Sequence, residues 1–361
     1  MKPGLFAIAT SSALLVASCH FASRPQEAPS ELRFEYERGA MGTSFRLLFF
    51  ASDRAAADSA ADASFARIAE LERELSDWSE SSELSRTVAA ATAAPGRLVA
   101  TGPARFFLLA AGQEIARQSD GAFDVTVGPL VKLWRRARRQ GELPKADALA
   151  AALAATGFGK LTLDPSTSSF ALHSAGMALD LGGIAKGYAA DQVLRLLEAR
   201  GIPSALVAAG GDVGTSGPPP GETGWTVALA ELAPDPADPV TPRFSVELAH
   251  ASISTSGDES RYTEIGGVRY SHIVDPRTGI GLTERRLVSV IARDGTTADA
   301  LATAVSVLGR ERGLALVETT AGAATRFVEI EKSENGEARA CTSPRWPPMM
   351  ARPSNQDGEN R

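Results

Sequence analysis

Segments with strand periodicity and segments with helical periodicity are interleaved along this chain without alternating strictly, and no other feature restricts its architecture as much. Strict alternation would wind a parallel sheet between two layers of helices. Interrupted alternation favours an α+β domain instead, with mixed sheets packed against helices. Residues 45–50 form a short apolar run of strand character, and within 55–75 Phe65, Ile68, Ala69, Glu72 and Leu75 fall on one side of a helix. Further helices are predicted at 103–118, 186–200 and 297–308, each entered near a Ser, Thr, Gly or Pro. Strands are predicted at 205–209, 225–229, 244–248, 268–274 and 287–292. Gly217 to Gly221, with three prolines between them, and the proline-rich stretch 234–239 are surface loops, because Pro cannot donate to a central ladder.

With 361 residues, 44% of them apolar, and a formal charge of −6, the chain can bury a sizeable core, so disorder is not its default state. The basic run Arg135, Arg136, Arg138 and Arg139 sits in a chain of net negative charge and reads as a solvated helix face, and no nucleic-acid partner is expected. The N-terminus is different in kind. Lys2, an apolar stretch from Leu5 to Val16, and the small residues Ala17 and Ser18 precede Cys19, the pattern of an export signal. The stretch is short for a membrane span, and a thiol directly after small residues is similar to a bacterial lipobox, in which lipidated Cys19 becomes the mature N-terminus. A plain signal peptide or a buried helix would read alike. The expected layout is a signal segment 1–18, a flexible tether 19–32, one domain 33–333, and a tail 334–361 whose Pro, Asn, Asp and Glu content suits an unstructured end. On this layout the protein is exported and membrane-anchored, facing the periplasm or the outer cell surface. Cys341 then has no partner, so stability rests on the core and not on disulfides.

Several chemistries are excluded by what is missing. There is no H-E-x-x-H, no paired C-x-x-C and no G-x-S-x-G, and only four histidines occur in all. The stretch from Asp180 to Gly187, D-L-G-G-I-A-K-G, is neither G-x-G-x-x-G nor a Walker A loop. It reads as a glycine turn feeding a helix, whose N-terminus suits a phosphate.

In chain order the sequence presents Met41-Gly42-Thr43, then Leu75 to Trp78, then Ser81 to Ser85, then Gly121 to Leu130 (G-A-F-D-V-T-V-G-P-L). After the glycine turn come Gly210-Gly211-Asp212, Ser256-Gly257-Asp258, Arg269 to Gly279 (R-Y-S-H-I-V-D-P-R-T-G) and Ala298 to Ala304 (A-D-A-L-A-T-A). Taken together these motifs, spanning roughly residues 38 to 330, resemble the ApbE family of FAD:protein FMN transferases. The resemblance implies a single flavin transferase domain that splits FAD, passes FMN through a phosphoester bond to a Thr or Ser of an acceptor protein, and releases AMP. Mg²⁺ is the implied cofactor, and a subunit of a membrane redox complex is the kind of acceptor implied.

Asp299 and Thr303 stand four apart on a predicted helix, so carboxylate and hydroxyl project from one face, taken to be an outward one, and can reach one Mg²⁺. As a spacing alone the pair fits a cap or dipole pairing equally well; the family match implies ligation, completed by the main-chain oxygen of Gly183. His272 near a strand end is suited to proton transfer, as base or as a donor that orients phosphate. Trp78 and Met41 match FAD contacts and would serve equally as core residues. Ala122, Phe123, Asp124 and Ile273 match segments that contact FAD, with Asp124 free to bond a nucleotide hydroxyl or amine. Asp180 and Lys186 flank the glycine turn, Asp180 placed for nucleotide polar groups and Lys186 for phosphates or simply for solvent. Where many relatives carry Asn shortly before the Gly-Gly pair, this chain has Ala208 and Ala209, which removes a polar role there. A metal-dependent FAD pyrophosphatase, with water replacing the acceptor, and a non-enzymatic flavin-binding lipoprotein are the rival readings.

Overall fold

The structure, a computed structural model, describes residues 32–232, 244–257, 262–330 and 338–351. The expected signal segment, Cys19 and all but the last residue of the tether lie outside these residues, as do the 234–239 loop and Asp258. The chain runs through β1 (Leu32–Ala40), β2 (Thr43–Ala51), α1 (Arg54–Leu75), α2 (Glu83–Ala93), β3 (Val99–Ala100), α3 (Pro103–Gln118), α4 (Gly128–Gln140) and α5 (Ala146–Ala154). It continues with β4 (Leu161–Asp164), β5 (Ser169–Leu172), α6 (Ala185–Ala199), β6 (Ala205–Ala209), β7 (Asp212–Thr215), β8 (Trp225–Leu229), β9 (Phe244–Leu248) and β10 (Ala251–Gly257). Last come β11 (Tyr262–Ile265), β12 (Val268–Ser271), β13 (Arg286–Ala292), α7 (Gly295–Leu308), α8 (Arg310–Thr319), β14 (Ala324–Ile330), β15 (Ala338–Thr342) and β16 (Met350–Ala351).

This is the expected α+β domain. Eight strands form the main sheet in the order β1-β2-β6-β7-β10-β13-β14-β15, and every ladder in it is antiparallel. β1 and β2 are joined by Met41 and Gly42 alone, with φ of +50° and +71°. A two-residue hairpin of type I′ requires left-handed backbone at both positions, and Met41 is held there by the Glu72 carboxylate, which accepts its N–H at 2.9 Å.

The two faces of the sheet have different covers. Phe45, Leu47, Phe49, Val207, Val288 and Val290 point into a large core shared with α1, α3, α6 and α7. Alternate positions, among them Leu206, Val213, Ile253 and Ile291, meet Val227, Leu229, Val246 and Leu248 of the three-stranded sheet β16-β9-β8. A strand buried on both faces reads as a nearly continuous apolar run, and 287–292, interrupted only by the buried Ser289, is legible for that reason. No helix among the described residues is long and apolar enough to cross a membrane.

The C-terminal segment departs from expectation. Residues 338–342, assigned to an unstructured tail, form the edge strand β15 on β14. Beyond it, Ser343 N–H donates to Thr325 O at 2.8 Å, and Arg345 donates to Ala323 O at 2.8 Å and Val317 O at 2.9 Å. Composition misjudged this stretch because what orders it is tertiary: backbone pairing along an open strand edge, the Arg345 guanidinium on carbonyls at the end of α8, and Cys341 and Trp346 packed against the hydrophobic clusters.

Candidate active site

Helices α6 and α7 cross near their N-termini because each has a glycine at the crossing. A Cβ on Gly187 would lie 2.0 Å from Gly295 O, and one on Gly295 2.6 Å from Gly187 O, so no other residue fits at either place. Asp191, one turn further along α6, locks the crossing. Its Oδ1 accepts the Gly295 N–H at 2.6 Å, and its Oδ2 accepts the Thr296 N–H at 2.9 Å and the Thr296 hydroxyl at 2.7 Å. A carboxylate there satisfies helix donors that have no partner within α7 and complements the helix dipole. Burial raises the Asp191 carboxyl above its ordinary range, against the pull of these donors.

That registry brings Lys186 of α6 against Asp299 of α7. The ammonium stands 3.2 Å from Asp299 Oδ2 and 2.7 Å from Asp212 Oδ2 on β7. Asp299 Oδ2 also accepts the Gly187 N–H at 3.3 Å, so this carboxylate occupies the N-terminus of α6. Asp212 Oδ1 accepts the Ser254 hydroxyl, and its Oδ2 forms the ion pair with the ammonium. Asp299, read from the sequence as outward-facing, is only 2% exposed. The reason is that α7 is enclosed all round, its buried residues running from Gly295 to Val307 on every face.

Two carboxylates share one ammonium in this buried cluster, which leaves surplus negative charge. Burial, and then the charge of Asp212, push the Asp299 carboxyl up to about 7, with Lys186 and the Gly187 N–H acting the other way. Burial opposes the charge on Lys186, yet Asp299 and Asp212 outweigh it and hold the ammonium above its ordinary range. Thr303, one turn beyond Asp299, is half-buried, and a Cβ placed on Gly183 would come within 3.0 Å of its Oγ1. Carboxylate, hydroxyl and glycine-turn main chain make a hard-oxygen set that fits Mg²⁺, and the surplus negative charge of Asp299 and Asp212 over Lys186 is what a divalent cation would balance. Among the described residues no three His, Cys, Asp or Glu side chains converge as a metal cluster.

A second cluster lies at the other end of the glycine turn. Asp180 Oδ1 accepts the Gly182 N–H at 2.8 Å, and Arg135 donates to Asp180 Oδ2 at 3.3 Å and to Asp77 Oδ2 at 2.6 Å. The Arg135 guanidinium also lies 3.8 Å from the ring centroid of Trp78, whose indole is 70% exposed. Burial, and then the neighbouring Asp77, push the Asp180 carboxyl up to about 6, against Arg135 and the Gly182 N–H. The expectation of a solvated basic face therefore holds for Arg136, Arg138 and Arg139, which are exposed, and fails for Arg135. Two carboxylates from distant segments draw it inward. A cleft of about 510 Å³ opens beside Asp77 and Trp78, with Leu84, Val88, Met177 and Leu179 along it and Lys132 at its edge; none of Lys186, Asp212, Asp299 and Thr303 lines it.

The remaining predicted residues fall around these clusters. Residues 125 to 128 run beside the glycine turn, with Asp180 N–H donating to Val125 O at 2.8 Å and Val127 bridging to Ala178. Phe123 is buried beneath Gly183, whose Cβ position would lie 3.3 Å from its ring, and Ala122 is buried beside it. Asp124 is 5% exposed and its Oδ1 accepts the Thr126 N–H at 2.7 Å, so that oxygen is engaged with backbone; burial raises this carboxyl, and the Thr126 donor opposes it.

His272 and Ile273, both half-buried, follow β12, which ends at Ser271 and not at 274. Their loop is closed by Ser271 N–H to Leu282 O at 2.7 Å and Leu282 N–H to Ile273 O at 2.9 Å. It leans on α4, where Trp134 Nε1 donates to Gly279 O at 2.7 Å and the indole packs at a tilt against the Tyr270 ring. Consecutive residues of α4 thus brace the His272 loop and the Asp77–Asp180 pair. Met41 is partly buried at the edge of the main core.

Sequence reasoning missed Asp77, Arg135, Asp191, Asp212 and Ser254. Asp77 and Asp212 stood inside the quoted motifs without a role, Asp191 looked like any helix carboxylate, and Arg135 was read as one residue of a solvated basic face.

Comparison with known proteins places the whole domain in one family. The sequence model of the ApbE family matches residues 41–327, and the chain belongs to that family. The FAD:protein FMN transferase of Treponema pallidum is 35% identical over 323 residues, covering 84% of this chain and 87% of its own. That of Vibrio cholerae is 31% identical over 315 residues, covering 86% and 90%. Among solved structures, the apo form of the Pseudomonas stutzeri flavinyl transferase ApbE matches with a TM-score of 0.74 at 32% identity, over 87% of this chain and 96% of that one.

Proposed function

We propose that this protein transfers the FMN half of FAD to a Thr or Ser hydroxyl of an acceptor protein and releases AMP, with Mg²⁺ held by Asp299, Thr303 and the main-chain oxygen of Gly183. The observation that carries the reading is the meeting of Lys186, Asp299 and Thr303 at the α6–α7 crossing, in a chain whose relatives are FAD:protein FMN transferases. Bound Mg²⁺ supplies neutralisation of pyrophosphate charge.

The chain's own residues do the rest. Trp78, Asp180, Ile273, Met41 and the segment Ala122 to Asp124 hold the dinucleotide, and Lys186, kept charged by its two carboxylates, faces the phosphates. The acceptor oxygen bonds to the phosphorus of the FMN half, the bond from that phosphorus to the AMP oxygen breaks, and the hydroxyl proton passes to His272. The acceptor belongs to an exported or membrane redox complex, and the enzyme is itself exported and lipid-anchored through Cys19, facing the periplasm or the outer cell surface.

Incubation of the protein with FAD, Mg²⁺ and a candidate acceptor tests the chemistry. A flavin-fluorescent acceptor band with matching AMP is expected, and chelation should abolish it. Release of free FMN and AMP beside an unlabelled acceptor would make the protein a pyrophosphatase, and unchanged bound FAD a flavin carrier. Mass spectrometry of the membrane fraction tests the anchor, which an unmodified Cys19 would remove.

A further inference from the structure

Trp78 presents a large indole from the turn between α1 and α2 with 70% of its surface exposed, and little apolar packing holds it in place. What it rests on is the guanidinium of Arg135, 3.8 Å from its ring centroid. We infer that Arg135 is a positioning residue for FAD, bracing one face of Trp78 so that the other receives a planar ring of the dinucleotide, and tying that platform to Asp180. The inference rests on the reading that Trp78 and Asp180 contact FAD.

Arg135 grips neighbouring residues in two ways. It takes the Asp77 carboxylate at 2.6 Å and the Trp78 ring by stacking, so the turn cannot rotate without breaking one contact or the other. Its second nitrogen reaches Asp180 at 3.3 Å, and Asp180 opens the glycine turn that leads to Lys186. One flat, multidentate cation thereby links a ring platform to the segment beside the phosphate end of the site. A lysine could neutralise the carboxylates but could not lie flat beneath an indole. With Arg135 removed, two adjoining carboxylates, 13% and 9% exposed, would face each other without a cation. The cleft of about 510 Å³ beside Asp77 and Trp78 leaves room for a ring.

Titration calorimetry with FAD on the wild type, Arg135→Met, Arg135→Lys, Trp78→Ala and the Trp78→Ala/Arg135→Met double variant tests this. Arg135→Met and Trp78→Ala should each weaken FAD binding by roughly 10- to 100-fold, the loss expected for charge-assisted contacts. The double variant should lose less than the sum of the two single losses, because part of each loss acts through the shared Trp78–Arg135 contact while the Asp180 link acts beside it. Arg135→Lys should bind FAD more weakly than the wild type at similar thermal stability, with KM for FAD rising more than kcat falls; it carries the test if Arg135→Met does not fold. Wild-type FAD affinity in Arg135→Lys and Arg135→Met, beside a weakened Trp78→Ala, would overturn the inference, as would strictly additive losses. Unchanged affinity in Trp78→Ala would instead sink the assignment of Trp78 to FAD.

Discussion

Asp191→Ala is the perturbation that most directly separates the scaffold of this site from its chemistry. The variant deletes the acceptor of three hydrogen bonds at 2.6, 2.9 and 2.7 Å, from the N–H groups of Gly295 and Thr296 and from the Thr296 hydroxyl. Thr296 is only 3% exposed and Gly295 is buried too, so these donors cannot turn to water. Each orphaned buried donor costs about 1–3 kcal/mol, and relief of the carboxylate's own burial offsets part, which leaves a net loss near ~3 kcal/mol. That lowers Tm by roughly 6–12 °C at the 2–4 °C per kcal/mol typical of domains this large. Scanning calorimetry of the metal-free, FAD-free protein measures the loss. Below both melting temperatures, freeing the first turn of α7 should also loosen Asp299 from Lys186 and weaken the Mg²⁺ dependence of flavin transfer. A variant that melts with the wild type would refute the clamp; one that melts early yet keeps the wild-type Mg²⁺ dependence would refute its role in registering the two helices.

Gly187→Ala should cost about 3 kcal/mol or more, since its Cβ would sit 2.0 Å from Gly295 O against backbone that has nowhere to go, and a variant as stable as the wild type would contradict that crossing. Asp180→Asn tests the buried carboxyl. Raised in the folded state to about 6, Asp180 binds its proton more tightly than in the unfolded chain, so its contribution to stability is fully present below about pH 4 and lost as pH rises toward 6. Melting curves should therefore show the Asn variant gaining on the wild type from pH 4 to pH 7, and a constant difference would mean that the carboxyl is not raised. His272→Ala should slow single-turnover transfer by roughly 10² to 10⁴ at saturating FAD while FAD still binds. Weakened binding with a normal saturated rate would make it a binding residue instead.

The strands at Ala205–Ala209, Trp225–Leu229 and Phe244–Leu248 and the helix Pro103–Gln118 have the bounds their periodicity predicts, because a strand or helix face is written in residues two to four apart. The α+β class followed from how those segments are ordered. Gly183, Lys186, Asp299, Thr303 and His272 were likewise named from motifs that are continuous in the chain. Tertiary structure alone decided what these residues touch. Nothing local says that Asp299 is enclosed, that Asp191 clamps a helix about a hundred positions away, or that Arg135 leaves its basic neighbours to join Asp77 and Asp180, 58 and 45 residues distant. Periodicity reports only the preference of a segment for one face. Burial and charge pairing are sums over every segment that packs there, and Lys186 meets Asp299 across 113 residues because two glycines let two helices touch.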